Sequence, residues 1–128
     1  MKQHGELDGK TVLITGATDG IGRALAQMCW QAGASLILHG RNPQKLESLL
    51  STFSEGLSGQ TASTVRADYS RLQEVRAMAG QLLAEVPRID ILVNNAGLYP
   101  SKRVITEDGF EECNQVNYLA PFLLTWLL

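Results

Sequence analysis

The chain is poor in cysteine, histidine and aromatic residues, and each shortage excludes a class of chemistry. Two of its 128 residues are cysteine and two are histidine, and aromatics make up 6%. Cys29 and Cys113 lie far apart and form no C-x-x-C, so neither a zinc ribbon nor a redox dithiol is expected. They read as small buried side chains of a reduced, cytoplasmic protein. His4 and His39 have no partners at metal-ligand spacing, and no metal site is expected. There is no run of basic residues, and a formal charge of −2 offers no footing for nucleic acid or a membrane surface. No apolar stretch approaches the roughly 20 residues of a membrane span. The opening MKQHGELDGK is polar and lacks the apolar core of a secretory signal. Repeats, low-complexity tracts and linkers are absent, so residues 1–128 read as one domain.

What is present is concentrated in Thr11–Gly22, TVLITGATDGIG. Thr11, Val12, Leu13 and Ile14 predict a short buried strand that Thr15 and Gly16 break. Gly16, Gly20 and Gly22 follow at spacings of four and two, and Ile21 opens a helical pattern. Strand, glycine turn and helix start, in that order, form a cradle for a dinucleotide phosphate. A Cβ there would hold the backbone away from the anion, and the helix start turns free N–H groups and a positive dipole end toward it. Read alone, the same glycines also suit a structural turn.

Strands and helices then alternate. Ile21, Leu25, Met28, Cys29 and Ala32 predict one helical face, ended by Gly33. Ser35–His39 predicts a second strand, with Asn42 and Pro43 as N-cap and first position of the next helix. Leu46, Leu49, Leu50 and Phe53 supply that helix's stripe, and Ser54–Gly59 reads as a loop. Thr61–Ala67 predicts a third strand, and Ser70 with Gln73 suggests a capping box. The following helix would bury Leu72, Val75, Ala79, Leu82, Leu83 and Val86, and Pro87 would stop it. Ile89–Val93 predicts a fourth strand, Tyr99–Arg103 a loop, and a long helix is expected from Thr106 onward. Four βα units imply an α/β fold: a Rossmann-type, doubly wound parallel sheet of order 3-2-1-4 with helices on both faces.

The T-G-x-x-x-G-x-G spacing resembles the short-chain dehydrogenase/reductase family, and the resemblance runs from about Gly9 to Leu128. Thr15, Gly16, Asp19, Gly20, Ile21 and Gly22 match its glycine loop. Asn94-Asn95-Ala96-Gly97 matches its NNAG signature, which implies that Asn94, Ala96 and Gly97 steady the sheet and line the nicotinamide end. Asp68 matches the acidic residue at the adenine edge, although alone it also reads as an Asx turn into Ser70. Asn117 matches the asparagine of the family's catalytic tetrad. Independently, Pro121 four residues on cannot donate to the Asn117 carbonyl, so a kink and an unpaired C=O are expected there. The resemblance makes that carbonyl the holder of a relay water; the plain alternative is a surface asparagine. The terminal Asn117–Leu128 is also similar to retinol-dehydrogenase-like members.

Cofactor preference is legible after the second strand. NAD-preferring members carry an acid about 20 residues past the glycines, but this chain has His39-Gly40-Arg41-Asn42. The Arg41 guanidinium suits a 2′-phosphate as a fork, although a solvated loop arginine would look the same. NADP is therefore expected, with NAD as the alternative, and Asp19 weighs mildly against NADP. The family's Tyr-x-x-x-Lys is missing: Tyr69, Tyr99 and Tyr118 are followed four on by Gln73, Arg103 and Phe122. The expected function is the cofactor-binding N-terminal part of an oxidoreductase acting on a small-molecule carbonyl or alcohol, truncated before the tyrosine. A non-catalytic nucleotide-binding or interaction protein, or a truncated gene product, is the rival. Tyr118–Leu128 is too apolar for one surface stripe, so self-association through this helix is expected.

Overall fold

Thr11–Ile14 forms β1, and Val12, Leu13 and Ile14 are all buried. A strand covered on both faces has no solvent side, which is why it reads as an unbroken apolar run. The computed structural model describes residues 5–53, 56 and 59–128; most of the Ser54–Gly59 loop, and His4, lie outside them. β1 is followed by α1 (Gly20–Gln31), β2 (Ser35–Gly40), α2 (Pro43–Ser51), β3 (Ala62–Arg66), α3 (Leu72–Glu85) and β4 (Ile91–Val93). The chain closes with α4 (Glu112–Asn114), a π-helical turn (Gln115–Leu119) and α5 (Ala120–Leu127). The strands pair in parallel in the order β3-β2-β1-β4, as expected, with Leu13 opposite Ile37 on one side and Leu92 on the other.

Alternate residues of the strands feed two cores. Val12, Ile14, Leu36 and Leu38 pack with Ala26 and Cys29 of α1 and with Leu46 and Leu49 of α2. Leu13, Ile37 and Val65 face Val75, Met78, Ala79 and Leu82 of α3 and Leu124 of α5. The Asn42 side chain accepts from Lys45 N at 3.0 Å, and Pro43 follows it at the start of α2. Such a cap contributes about 1 kcal/mol.

Several expected details differ. On α1 the buried residues are Gly22, Ala26 and Cys29, whereas Ile21 and Met28 are exposed. A helix lying this close to a sheet turns its small residues inward, and the apolar period alone does not show that. On α3, Met78 is buried and Leu83 is exposed. Ser70 does not cap α3: its hydroxyl and N–H both donate to Asp68 Oδ1, and Leu72 N is met by Asp108 Oδ2 from far along the chain. The last helical region begins at Glu112, not Thr106. Residues 106–109 instead make a turn, Ile105 bridges Glu111, and the Glu111 carboxylate caps Cys113 N and Asn114 N.

The expected kink near Pro121 appears as the π-helical turn, in which Ala120 N reaches back to Gln115 O. Widening the helix accommodates a residue that has no N–H to offer the Asn117 carbonyl. Gln115 is fully buried; its Nε2 donates to Tyr69 O and Asp108 Oδ2 while its Oε1 accepts from Thr106. One side chain thereby ties the β3–α3 corner to the helix that carries Asn117.

Candidate functional site

A cavity of about 510 Å³ opens at the carboxyl ends of the four strands. That is where ligands sit in open α/β sheets, and the volume lies within the roughly 300–1,000 Å³ of small-molecule sites. Each strand end supplies part of the wall: Gly16 after β1, His39 and Arg41 at β2, Asp68 and Tyr69 after β3, Ala96 and Gly97 after β4.

The glycine loop is shaped by close approaches. Gly16 has φ +63°, and a Cβ on it would come within 2.7 Å of Ala96 Cα. A Cβ on Gly22 would lie 2.2 Å from Gly16 O and 2.5 Å from Asn95 Nδ2. Gly22 therefore lets α1 nest against the loop. Asn95 locks the same turn by donating to Thr15 O and Gly16 O, each at 3.1 Å. The buried Thr15 hydroxyl accepts from Asn95 N at 3.0 Å and Ala96 N at 2.9 Å.

Asp19 stands at the N-cap of α1, yet its side chain makes no cap hydrogen bond. Its carboxylate turns instead to Lys45 Nζ at 2.8 Å. The hydrogen bond from Lys45 holds the Asp19 carboxyl below its ordinary value. The first N–H groups of a 12-residue helix thus lie beside the cavity without a side-chain acceptor, an arrangement that receives an anion.

Arg41 is exposed at the cavity's edge, and Arg66 Nε anchors its carbonyl at 3.0 Å. Burial acts to raise the Asp68 carboxyl, but two hydrogen bonds from Ser70 and the charges of Arg41 and Arg71 outweigh it and hold the group below its ordinary value. Asp68 makes the Asx turn and also lines the cavity.

Four expected contact residues do not line the cavity. Thr15 is fully buried behind the loop, Gly22 is a packing glycine, Asn42 caps α2, and Asn94 Nδ2 donates to Thr125 Oγ1. Asn117 stands just behind Gly97. Its amide takes Leu98 N at 2.8 Å and donates to Leu98 O at 2.8 Å, clamping the segment after β4. The site also contains residues that sequence reasoning missed, chiefly His39 and Tyr69, whose rings stack at 4.7 Å. Buried polar aromatics at strand ends are the signal that could have found them. Burial pushes the Tyr69 phenol well above its ordinary value, against a smaller opposing pull from the neighbouring Thr15 hydroxyl, and among the described residues no group meets the phenol oxygen in good hydrogen-bond geometry.

A sequence profile of the short chain dehydrogenases matches residues 10–128. The chain belongs to that family. The chain is 45% identical over 125 residues to a Streptomyces sp. (strain C5) protein named for daunorubicin C-13 ketoreduction, a match covering 98% of this chain and 43% of the relative. It is 40% identical over 137 residues to human retinol dehydrogenase 14, covering 97% of this chain and 41% of that one. The chain thus spans less than half the length of these curated relatives. Among solved structures, the Pseudomonas aeruginosa RhlG/NADP complex superposes with TM-score 0.82 at 29% identity, over 100% of this chain and 50% of that one. A Sphingobium yanoikuyae short-chain dehydrogenase in complex with NADPH gives TM-score 0.77 at 33% identity, covering 92% and 46%. No helix among the described residues is long and apolar enough to cross a membrane.

Proposed function

We propose that this chain is the cofactor-binding part of an NADP-dependent oxidoreductase that interconverts a small-molecule carbonyl and alcohol. The observation that carries the reading is the uncapped start of α1, open to the cavity, with Arg41 on the same rim. The residues fit a dinucleotide. Gly16 and Gly20 let the backbone come close, and a Cβ on Gly20 would meet nothing within 4 Å. The first turn of α1 would hold the diphosphate, Arg41 the 2′-phosphate, Asp68 the adenine edge, and Ala96 and Gly97 the nicotinamide half. When bound, the nicotinamide would supply or accept the hydride. Solved relatives with NADP or NADPH bound support this choice of cofactor.

Asn117 is the member of the catalytic group that we assign within this chain. Its side chain positions Leu98, and Pro121 has no N–H to give the Asn117 main-chain carbonyl, which makes that oxygen our candidate holder of a water. With no Tyr-x-x-x-Lys among these residues, the chain alone is expected to reduce no aldehyde, ketone or quinone above background. A missing general acid typically costs about 10²–10⁴-fold. The free cysteines support a cytoplasmic setting. Tyr118, Phe122 and Trp126 are exposed on the last helical region, and β4 is an edge strand among the described residues. Both features support self-association through this face.

Thermal unfolding with and without dinucleotide tests the assignment. A ligand at about 100 times its Kd stabilises by roughly 2.7 kcal/mol. NADPH is expected to raise the melting temperature of the wild type, and to raise that of Arg41→Ala less. No shift with any nicotinamide dinucleotide would overturn the reading.

A further inference from the structure

His39 is a titratable group that the proposed chemistry does not use, and it lies where three strand ends meet. It is 3% exposed at the end of β2. Its Nδ1 is 3.2 Å from Gly16 N, and its Nε2 is 3.0 Å from Ala67 O. A backbone N–H only donates and a carbonyl only accepts. The proton is therefore on Nε2, Nδ1 is bare, and the ring is neutral. The His39 carbonyl also accepts from Ala17 N at 2.9 Å, so this one residue holds two successive N–H groups of the glycine loop.

We propose that His39 is a positioning residue for the cofactor cradle, anchored on Ala67 O and holding the glycine loop in place only while its ring is neutral. The inference rests on the nucleotide-binding reading above. A second proton can go only to Nδ1, which faces the Gly16 N–H. Two N–H groups would then point at each other, and a buried cation would have no bonded carboxylate. The charged and titratable groups around it do not relieve this. On the glycine loop, Asp19 is paired with Lys45 of α2. After β2 stands Arg41, a like charge. After β3, Asp68 is committed to Ser70, and Tyr69 is a neutral phenol stacked on the ring. The π-helical turn presents Val116. Burial in addition holds the imidazole below its ordinary value of 6.5. Protonation should release Gly16 N and loosen the loop that carries Asp19 and Gly20, while the Nε2–H bond to Ala67 O persists.

The test is NADP⁺ affinity by calorimetry from pH 8 to pH 5, on the 128-residue wild type and on His39→Asn. The asparagine carbonyl can accept from Gly16 N without titrating, and any ionisation of the ligand affects both proteins alike. At pH 8 the two should bind within a few-fold of each other. By pH 5 the wild type should have weakened at least threefold relative to His39→Asn, with the slope of a single proton. His39→Gln, which restores a donor toward Ala67, is the second variant if His39→Asn does not fold. Nitrogen shifts of the wild-type ring should report the Nε2–H tautomer. A constant affinity ratio across the range, or an Nδ1–H tautomer, overturns the inference alone. A wild type that binds no NADP⁺ even at pH 8 overturns the nucleotide reading, and this inference with it.

Discussion

The carboxylate of Asp19 and the ammonium of Lys45 are 2.8 Å apart, joining the glycine loop to the first turn of α2. The pairing turns an acid away from the helix start it would otherwise cap, and it neutralises a charge next to an anion site. Both partners are more than half exposed, so the pair should add little to stability. Its effect belongs to binding. Lys45→Met should weaken NADPH and NADH alike by a few-fold, because both carry the diphosphate that a freed Asp19 would repel. Asp19→Asn added to Lys45→Met should restore the affinity. Calorimetry on the four proteins of that cycle decides it, and additive effects would show that the two residues act separately.

Gly22 should tolerate no side chain. The Gly16 carbonyl and Asn95 amide that a Cβ would strike are held by the loop's own hydrogen bonds. Gly22→Ala should cost about 1–3 kcal/mol through overpacking and remove dinucleotide binding. Urea denaturation and a binding titration on the same sample would reveal either effect. A variant with wild-type stability would mean that α1 does not nest against the loop in this way.

Tyr69 should be replaceable by phenylalanine. Its hydroxyl is buried with no well-formed hydrogen bond among the described residues, since the neighbouring Thr15 hydroxyl is already engaged by Val93 O, Asn95 N and Ala96 N, and an unsatisfied buried hydroxyl costs about 1–3 kcal/mol. Tyr69→Phe keeps the stack on His39 and should leave stability unchanged or raise it by about 1 kcal/mol. A clear loss in urea denaturation would reveal a hydrogen bond to that hydroxyl.

Stability should fall with acid in two windows. His39 has a depressed value when folded, so the unfolded chain binds its proton more readily. Its contribution is full above about 6.5 and is lost as pH falls through the lower folded value. Asp68 is likewise depressed, so its contribution is present above about 3.8 and disappears below that. Urea midpoints between pH 8 and pH 3 should show both declines, and His39→Asn should lack the upper one. A midpoint that rises as pH falls from 7 to 5 would contradict the neutral assignment of His39.

The strand order, the glycine loop and the meeting of Gly16, Gly20, Arg41 and Asp68 at one cavity are legible in the sequence because they depend on local signals. Short apolar runs, turn glycines and an Asn-Pro cap act within a few residues of themselves. What is not legible is set by long-range partners. Asp108 meets the start of α3 from 36 residues away and leaves Ser70 to Asp68. Gln115 bonds Tyr69 across 46 residues, and no local pattern marks either residue. The apolar period of α1 points to Ile21 and Met28, whereas the closeness of the sheet selects Gly22 and Ala26. His39 has no partners at metal-ligand spacing, and both hydrogen-bond partners of its ring are backbone groups, which no residue pattern marks.

Direct calorimetry of the wild-type chain with NADPH and with NADH is the simplest test of an NADP-preferring cradle built from these residues. The prediction is one site that binds NADPH more tightly. Arg41→Ala should cost roughly 1.5–3 kcal/mol of NADPH affinity, the worth of a charge-assisted pair, and leave NADH almost unchanged. Equal affinity of the wild type for the two dinucleotides, or no heat with either, would contradict it.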